Sequence, residues 1–253
     1  MKTLTVVAVS SHYKVPEHVE AIVKTAAALP FPVKKLLLSA RRPEQLPDGI
    51  EWREFSTGVD GQESAVKASR FILIELCQYV DTDHCLLVQW DGFALNPAAW
   101  DNGFLDYDYI GAPFAENPLY ELLFPRFRHR VGNGGFSLRS KKWLELGATA
   151  PQYRGQSEDM FCTQQYVQHW KSHGCKIAPI EVAGRFSMEY PLSRHPQLHI
   201  KDAFGFHGFL PDGRPRFYGK FDKMAMFKGS VVRVSKRAVA RVLEIFRLGK
   251  SGS

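Results

Sequence analysis

The chain has 253 residues, 45% of them hydrophobic, 13% aromatic and 23% charged, with a formal net charge of +7. This near-average mixture excludes a disordered, collagen-like or fibrous chain and suits one large domain, alone or with an appendage. From Lys228 onward seven Lys or Arg face one acid, Glu244, so +6 of the +7 belongs to a tail and the body is nearly neutral.

Residues 4–9, a β-branched run ending at Ser10, predict a first strand, and 16–29 follow with helical spacing. Residues 33–38 predict a second strand running into Ser39 and Arg41, 50–55 a short third strand, 63–79 a helix, and 85–89 a fourth strand broken by Trp90-Asp91-Gly92. Strands alternating with helices argue for an α/β protein with a mostly parallel sheet flanked by crossover helices. Ligands of such sheets sit at the carboxyl ends of strands, so the first ~95 residues read as a nucleotide-binding half. Residues 106–113 and 131–138, aromatic and rich in Gly, predict short strands around loops. Residues 157–173 predict a helix with Ser157 as N-cap and Glu158 and Asp159 in its first turn. Residues 176–182 predict another strand, followed by an irregular stretch through 209.

In the tail, residues 235–248 put Ala238, Val239, Val242, Leu243 and Phe246 on one helical face, with Lys236, Arg237, Arg241 and Arg247 on the rest. Such a basic amphipathic helix is either an element drawn to an anionic membrane surface or a terminal helix that docks its apolar face on the body. No apolar run approaches the roughly 20 residues of a membrane span, and the first nine residues are too weakly apolar for a secretory signal. Cys77, Cys85, Cys162 and Cys175 lack the C-x-x-C spacing of a zinc ribbon and read as reduced thiols of a cytoplasmic protein. The neutral body also argues against a nucleic-acid partner, which would require a basic face there.

Four blocks carry candidate chemistry, each with an ordinary structural explanation beside it. Gln89-Trp90-Asp91-Gly92 places a carboxylate just past a buried strand, where it can hold a hard cation against a diphosphate or merely make an Asp-Gly turn. Gly132-Asn133-Gly134-Gly135 lets backbone approach a ligand, or forms a hairpin. Glu158-Asp159 can supply a general base, or only cap a helix. His207, between Gly205-Phe206 and Gly208-Phe209, can ligate a metal, or simply pack.

Taken in order, strand–Asp, Gly-rich block, Glu-Asp and late Gly-His, these blocks resemble the GT-A class of nucleotide-sugar-dependent glycosyltransferases. More closely, QWDGF, YDYIGAPF, VGNGGFSLRS, SEDMF and FGFHG resemble an uncharacterised bacterial glycosyltransferase-like family over residues 56–209. The resemblance implies a GT-A-like domain over residues 1–227, with 1–95 binding the nucleotide and 96–227 the acceptor, and a basic tail over 228–253. It implies that Asp91, the last position of a D-x-D-like triplet in which Gln89 replaces the first Asp, and His207 hold a divalent cation, manganese or magnesium. Asp159, with Glu158 next, would be the base. Asn133, Gly134 and Gly135, with Gln89 and Trp90, would approach donor or acceptor, and Ser10, Ser39 and Arg41 would face the nucleotide. The implied function is transfer of a sugar to a hydroxyl of a lipid-linked or polysaccharide acceptor in bacterial cell-surface glycan (O-antigen or capsule) synthesis, inverting as first choice with a retaining outcome open. The location would be cytoplasmic, peripheral at the inner face of the cell membrane. The competing expectation is a sugar-nucleotide or glycan-binding module of the same fold without catalysis.

Overall fold

The fold is built on a run of apolar residues that fills the sheet from both sides. Every residue of β1 (Leu4–Ser10) and of β4 (His84–Val88) is buried, as expected of central strands covered on both faces. A computed structural model of the chain describes residues 2–10, 14–59, 61–116, 131–150, 153–155 and 157–208. These fall in one of two compact units, Met1–Glu116 with His129–Arg214; the other, Asn117–Arg128 with Pro215–Ser253, lies outside the described residues, and with it the expected amphipathic tail helix.

A six-stranded sheet has the order β3-β2-β1-β4-β6-β5, where β2 is Lys34–Ser39, β3 Ile50–Glu54, β5 Tyr109–Gly111 and β6 Ser137–Ser140. The first four strands are parallel, whereas β6 runs antiparallel to both β4 and β5. The protein is thus α/β with a mostly parallel, mixed sheet flanked by helices. Alternation along β1 sends Val6 and Ala8 into one core with Ile22, Leu37 and Leu86, and Val7 and Val9 into another with Leu36, Leu38, Phe71 and Leu87. Helix α1 (Val15–Ala28) covers the first face and α2 (Gly61–Ile74) the second.

Helix α3 (Lys141–Ala148) follows β6 directly, capped by the Ser140 hydroxyl, which accepts from the Trp143 amide at 3.0 Å. Trp143 packs with Tyr109, Phe161 and Trp170 in a third apolar cluster.

Several boundaries differ from expectation. Helix α2 ends at Ile74, and the rest of the expected helix is a short 3₁₀ turn at Leu76–Gln78. The single helix expected over 157–173 is three pieces: α4 (Glu158–Met160), a π-helical segment Phe161–Gln165 and α5 (Val167–Ser172). The strand expected over 176–182 is corrected: only Ile177 bridges to Tyr109, and from Ile180 the chain is helical to Phe186 (α6). Pro179, extended and without an N–H to give a strand ladder, stands at the N-cap, and Ala183 and Phe186 bury the inward side of the helix. Of the short strands expected around loops over 131–138, Ser137 and Leu138 join the ladder and Val131 makes a single bridge to Pro113, with Gly132–Gly135 as the loop between them.

Candidate functional site

The chain leaves β4 through a tight turn: Gln89 and Gly92 exchange both backbone hydrogen bonds at 2.9 Å, which puts Trp90 and Asp91 at the tip. A two-stranded parallel sheet, β7 (Ser187–Met188) with β8 (Gly205–Phe206), lies against this turn. Met188 pairs with Phe206, so the next residues, Glu189 and His207, come out of the two strands side by side. The Phe206 amide donates to the Phe93 carbonyl and the Gly208 amide to the Asp91 carbonyl, which brings His207 onto Asp91.

His207 therefore stands among acids. Its Nε2 is 3.6 Å from Asp91 Oδ2 and 3.3 Å from Gln89 Oε1, and its Nδ1 is 3.4 Å from Glu189 Oε1. The three charged side chains are between 7% and 16% exposed. Burial alone would disfavour the imidazolium, but the Glu189 and Asp91 carboxylates outweigh it and raise the histidine above its ordinary value.

The Gly-rich loop packs directly on this group. A Cβ on Gly135 would lie 2.0 Å from His207 Nε2, and one on Gly134 would lie 2.3 Å from Glu158 Oε1. The glycine backbone thus lies close against the side chains of His207 and Glu158. Asn133 is a strut: its Nδ2 donates to Glu189 Oε2 at 2.6 Å and its Oδ1 accepts from the Gly135 amide at 2.9 Å.

On the loop's other side the Gly134 amide donates to Asp159 Oδ2 at 3.1 Å, and the Met160 amide to Asp159 Oδ1 at 2.6 Å. Burial, and next the neighbouring Glu158, push the Asp159 carboxyl from 3.8 up to about 6. Ser157 holds the N-cap position but makes no capping bond; its hydroxyl turns to Asp159. Glu158 is already engaged: it pairs at 2.7 Å with Arg139, and the two side chains are 9% and 2% exposed. Arg139 also reaches Ser137 Oγ at 3.1 Å.

A cavity of about 950 Å³ lies beyond the carboxyl ends of β2 and β3, against the first turn of α1. Arg41 and Arg42, Glu54 and Ser56, and Val15 are among its walls, while Asp91, Asp159 and His207 are not. Of the residues expected to face a nucleotide, Arg41 lines this space. Ser39 does not: it is fully buried, accepting from Trp52 Nε1 at 3.0 Å and donating to the Arg41 carbonyl at 2.8 Å. Ser10 is also buried, at the end of β1. Lys14, at φ 53°, precedes Val15 and sets its ammonium 3.2 Å from the centre of the Trp90 ring, so α1 links the cavity to the Asp91 turn.

Sequence reasoning missed Glu189, Arg139 and Lys14. Arg139 sat within a quoted block, and its place as the one charge of the short strand that follows the Gly-rich loop was the available signal. Glu189 gave none, since only the pairing of β7 with β8 brings it to His207.

Among the described residues no group of three His, Cys, Asp or Glu is placed to enclose a metal, and no helix is long and apolar enough to cross a membrane. All four cysteines are unpaired.

The fold and this cluster define the class: an α/β protein with an acid–histidine centre beside the carboxyl end of a central strand. Residues 54–207 match a family described as "Protein of unknown function (DUF5672)", and the chain belongs to it. The match runs from the end of β3 to His207 and includes Asp91, Asp159 and Glu189, but not the cavity walls supplied by α1 and by the segment after β2. No curated protein matches the chain.

Proposed function

We propose that the protein is a glycosyltransferase of GT-A type, moving a sugar from a nucleotide-sugar donor to an acceptor hydroxyl with inversion. The observation that carries this reading is the meeting of Asp91 and His207, from distant parts of the sequence, on one side of the Gly134–Gly135 backbone with Asp159 on the other. Four parallel strands joined to a reversed β6, and a cavity at strand ends of a size suited to a nucleotide, support it.

Asp159 takes the proton of the acceptor hydroxyl as its oxygen bonds to the anomeric carbon. The bond from that carbon to the donor's phosphate oxygen breaks, and its electron pair leaves with the nucleoside diphosphate. A carboxyl near 6 is half ionised close to working pH, which suits a general base. Glu158, tied to Arg139, holds the loop and leaves the proton transfer to Asp159.

The donor set fits a cation shared with substrate. Two ligands about 2.1 Å from one ion lie about 3–4 Å apart, depending on the angle, and Asp91 Oδ2 and His207 Nε2 are 3.6 Å apart. Asp91 Oδ1 is buried and makes no hydrogen bond. Two protein ligands suffice for magnesium or manganese when phosphates complete the shell. Such an ion, when bound, supplies neutralisation of the departing diphosphate. The cavity takes the nucleotide, with Arg41 on its wall.

The acceptor is a lipid-linked or polysaccharide glycan of the bacterial surface, met at the inner membrane face through the basic tail. The test is a thermal-shift screen of nucleoside diphosphates and nucleotide sugars with and without manganese, followed by assay of diphosphate release. Release that falls 10²–10⁴-fold in Asp159→Asn is expected. Full activity in that variant overturns the base assignment, and binding without turnover favours the non-catalytic module, which the Gln89 amide in the first D-x-D position would suit.

A further inference from the structure

We propose that Glu189 is the positioning residue of the centre: its carboxylate, fixed by Asn133, claims the Nδ1 side of His207 and so leaves Nε2 as the nitrogen that faces Asp91. The proposal rests on the reading of Asp91 and His207 as a cation-binding pair. His207 Nδ1 is buried and makes no hydrogen bond in its present orientation, and the carboxylate against it is Glu189, at 3.4 Å.

A neutral imidazole carries one N–H, and the surroundings decide which nitrogen bears it. A carboxylate can only accept. An Nδ1 lone pair turned to Glu189 would set two electron-rich atoms against each other in a dry site, whereas Nδ1–H would donate to it after a slight turn of the ring. On the Nε2 side the Asp91 carboxylate also only accepts, but it stands farther off, at 3.6 Å against 3.4 Å for Glu189, and Gln89 is adaptable, because rotating its amide presents NH₂ in place of oxygen. Glu189 is not adaptable. One of its oxygens is held at 2.6 Å by Asn133, whose own amide oxygen is held by the Gly135 N–H. Nε2 therefore keeps its lone pair on the side of Asp91.

The arrangement is a carboxylate–histidine pair of the kind that orients metal-ligating imidazoles from behind. It also accounts for Asn133, which links the Gly-rich loop to the centre. The register of β7 with β8 supplies the geometry, placing Glu189 and His207 one residue beyond a paired Met188 and Phe206.

Two measurements test the proposal. Long-range ¹H–¹⁵N spectra of the histidine-labelled, metal-free full chain, with His207→Ala assigning the ring, should show His207 protonated at Nδ1 at mildly alkaline pH. In Glu189→Gln, which keeps the length and the Asn133 contact, the tautomers should become mixed. Manganese affinity, read by the electron paramagnetic resonance of the free ion, should fall 10–100-fold in Glu189→Gln and recover in part in Glu189→Asp. An Nε2-protonated His207 in the wild type, or an unchanged tautomer in Glu189→Gln, overturns the role of Glu189. Manganese affinity unaffected by Asp91→Asn and His207→Ala overturns the cation site itself, and the spectra then still decide the role of Glu189.

Discussion

A single carboxyl, that of Asp159, links the stability of the fold to its chemistry. An acid raised from 3.8 to about 6 on folding favours the folded state while protonated. Its contribution is full below about pH 4 and is lost as pH rises through about 6. Asp159→Asn cannot ionise, so stability measured by urea denaturation at acidic and neutral pH should fall less with pH in the variant. The difference across this window is on the order of 2–3 kcal/mol, at 1.36 kcal/mol per unit. Activity has the opposite sign, because the base acts when ionised: kcat/KM should rise with pH and level off above about 6. The neighbouring Arg139–Glu158 pair answers a different question. Removing one member strands a buried charge, so Arg139→Met should cost about 3–5 kcal/mol in urea denaturation. Replacing both with apolar residues should recover much of that loss.

At the level of elements, the legible parts of the fold were those with strong local patterns. The buried β-branched run of β1, the buried apolar run of β4 and the amphipathic α1 announce themselves by their patterns, and Asp91 by its place after β4. What stayed hidden depends on contacts distant in sequence. The π-helical widening at Phe161–Gln165 has no periodic signature; there Tyr166 N donates to Phe161 O and the Thr163 hydroxyl to Asp159 O. β7 and β8 are two residues each, too short for a pattern, yet they bring Glu189 to His207. Ser39 read as a ligand contact because it ends a strand, whereas the indole of Trp52 and a local carbonyl use its hydroxyl. The Gly-rich loop was visible as a feature but not its target. With Gly135 Cα pressed on the imidazole, Gly135→Ala should displace His207 and weaken manganese binding at least 10-fold, with little change in the far-ultraviolet circular dichroism of the sheet.

For the molecule as a whole, the net charge is divided unequally between body and tail. The centre and cavity lie in residues that are nearly neutral in sum, whereas +6 of the net +7 follows Lys228. Attraction of a polybasic segment to anionic lipid is about 1 kcal/mol per cation near the surface and decays within a Debye length, so it is screened by salt. Reversing Lys236, Arg237 and Arg241 to Glu removes three cations and adds three anions in that segment while leaving every residue of the Asp91–His207–Asp159 cluster in place. Sedimentation with phosphatidylglycerol vesicles at low salt should then drop at least 100-fold in partition coefficient, and high salt should abolish it for the wild type. Nucleoside diphosphate binding, read by thermal shift, should be the same in both. If vesicle binding survives the reversal, the apolar face rather than the charge holds the membrane. If nucleotide binding falls as well, the tail takes part in the fold of the body, and the docked-helix alternative is the correct one.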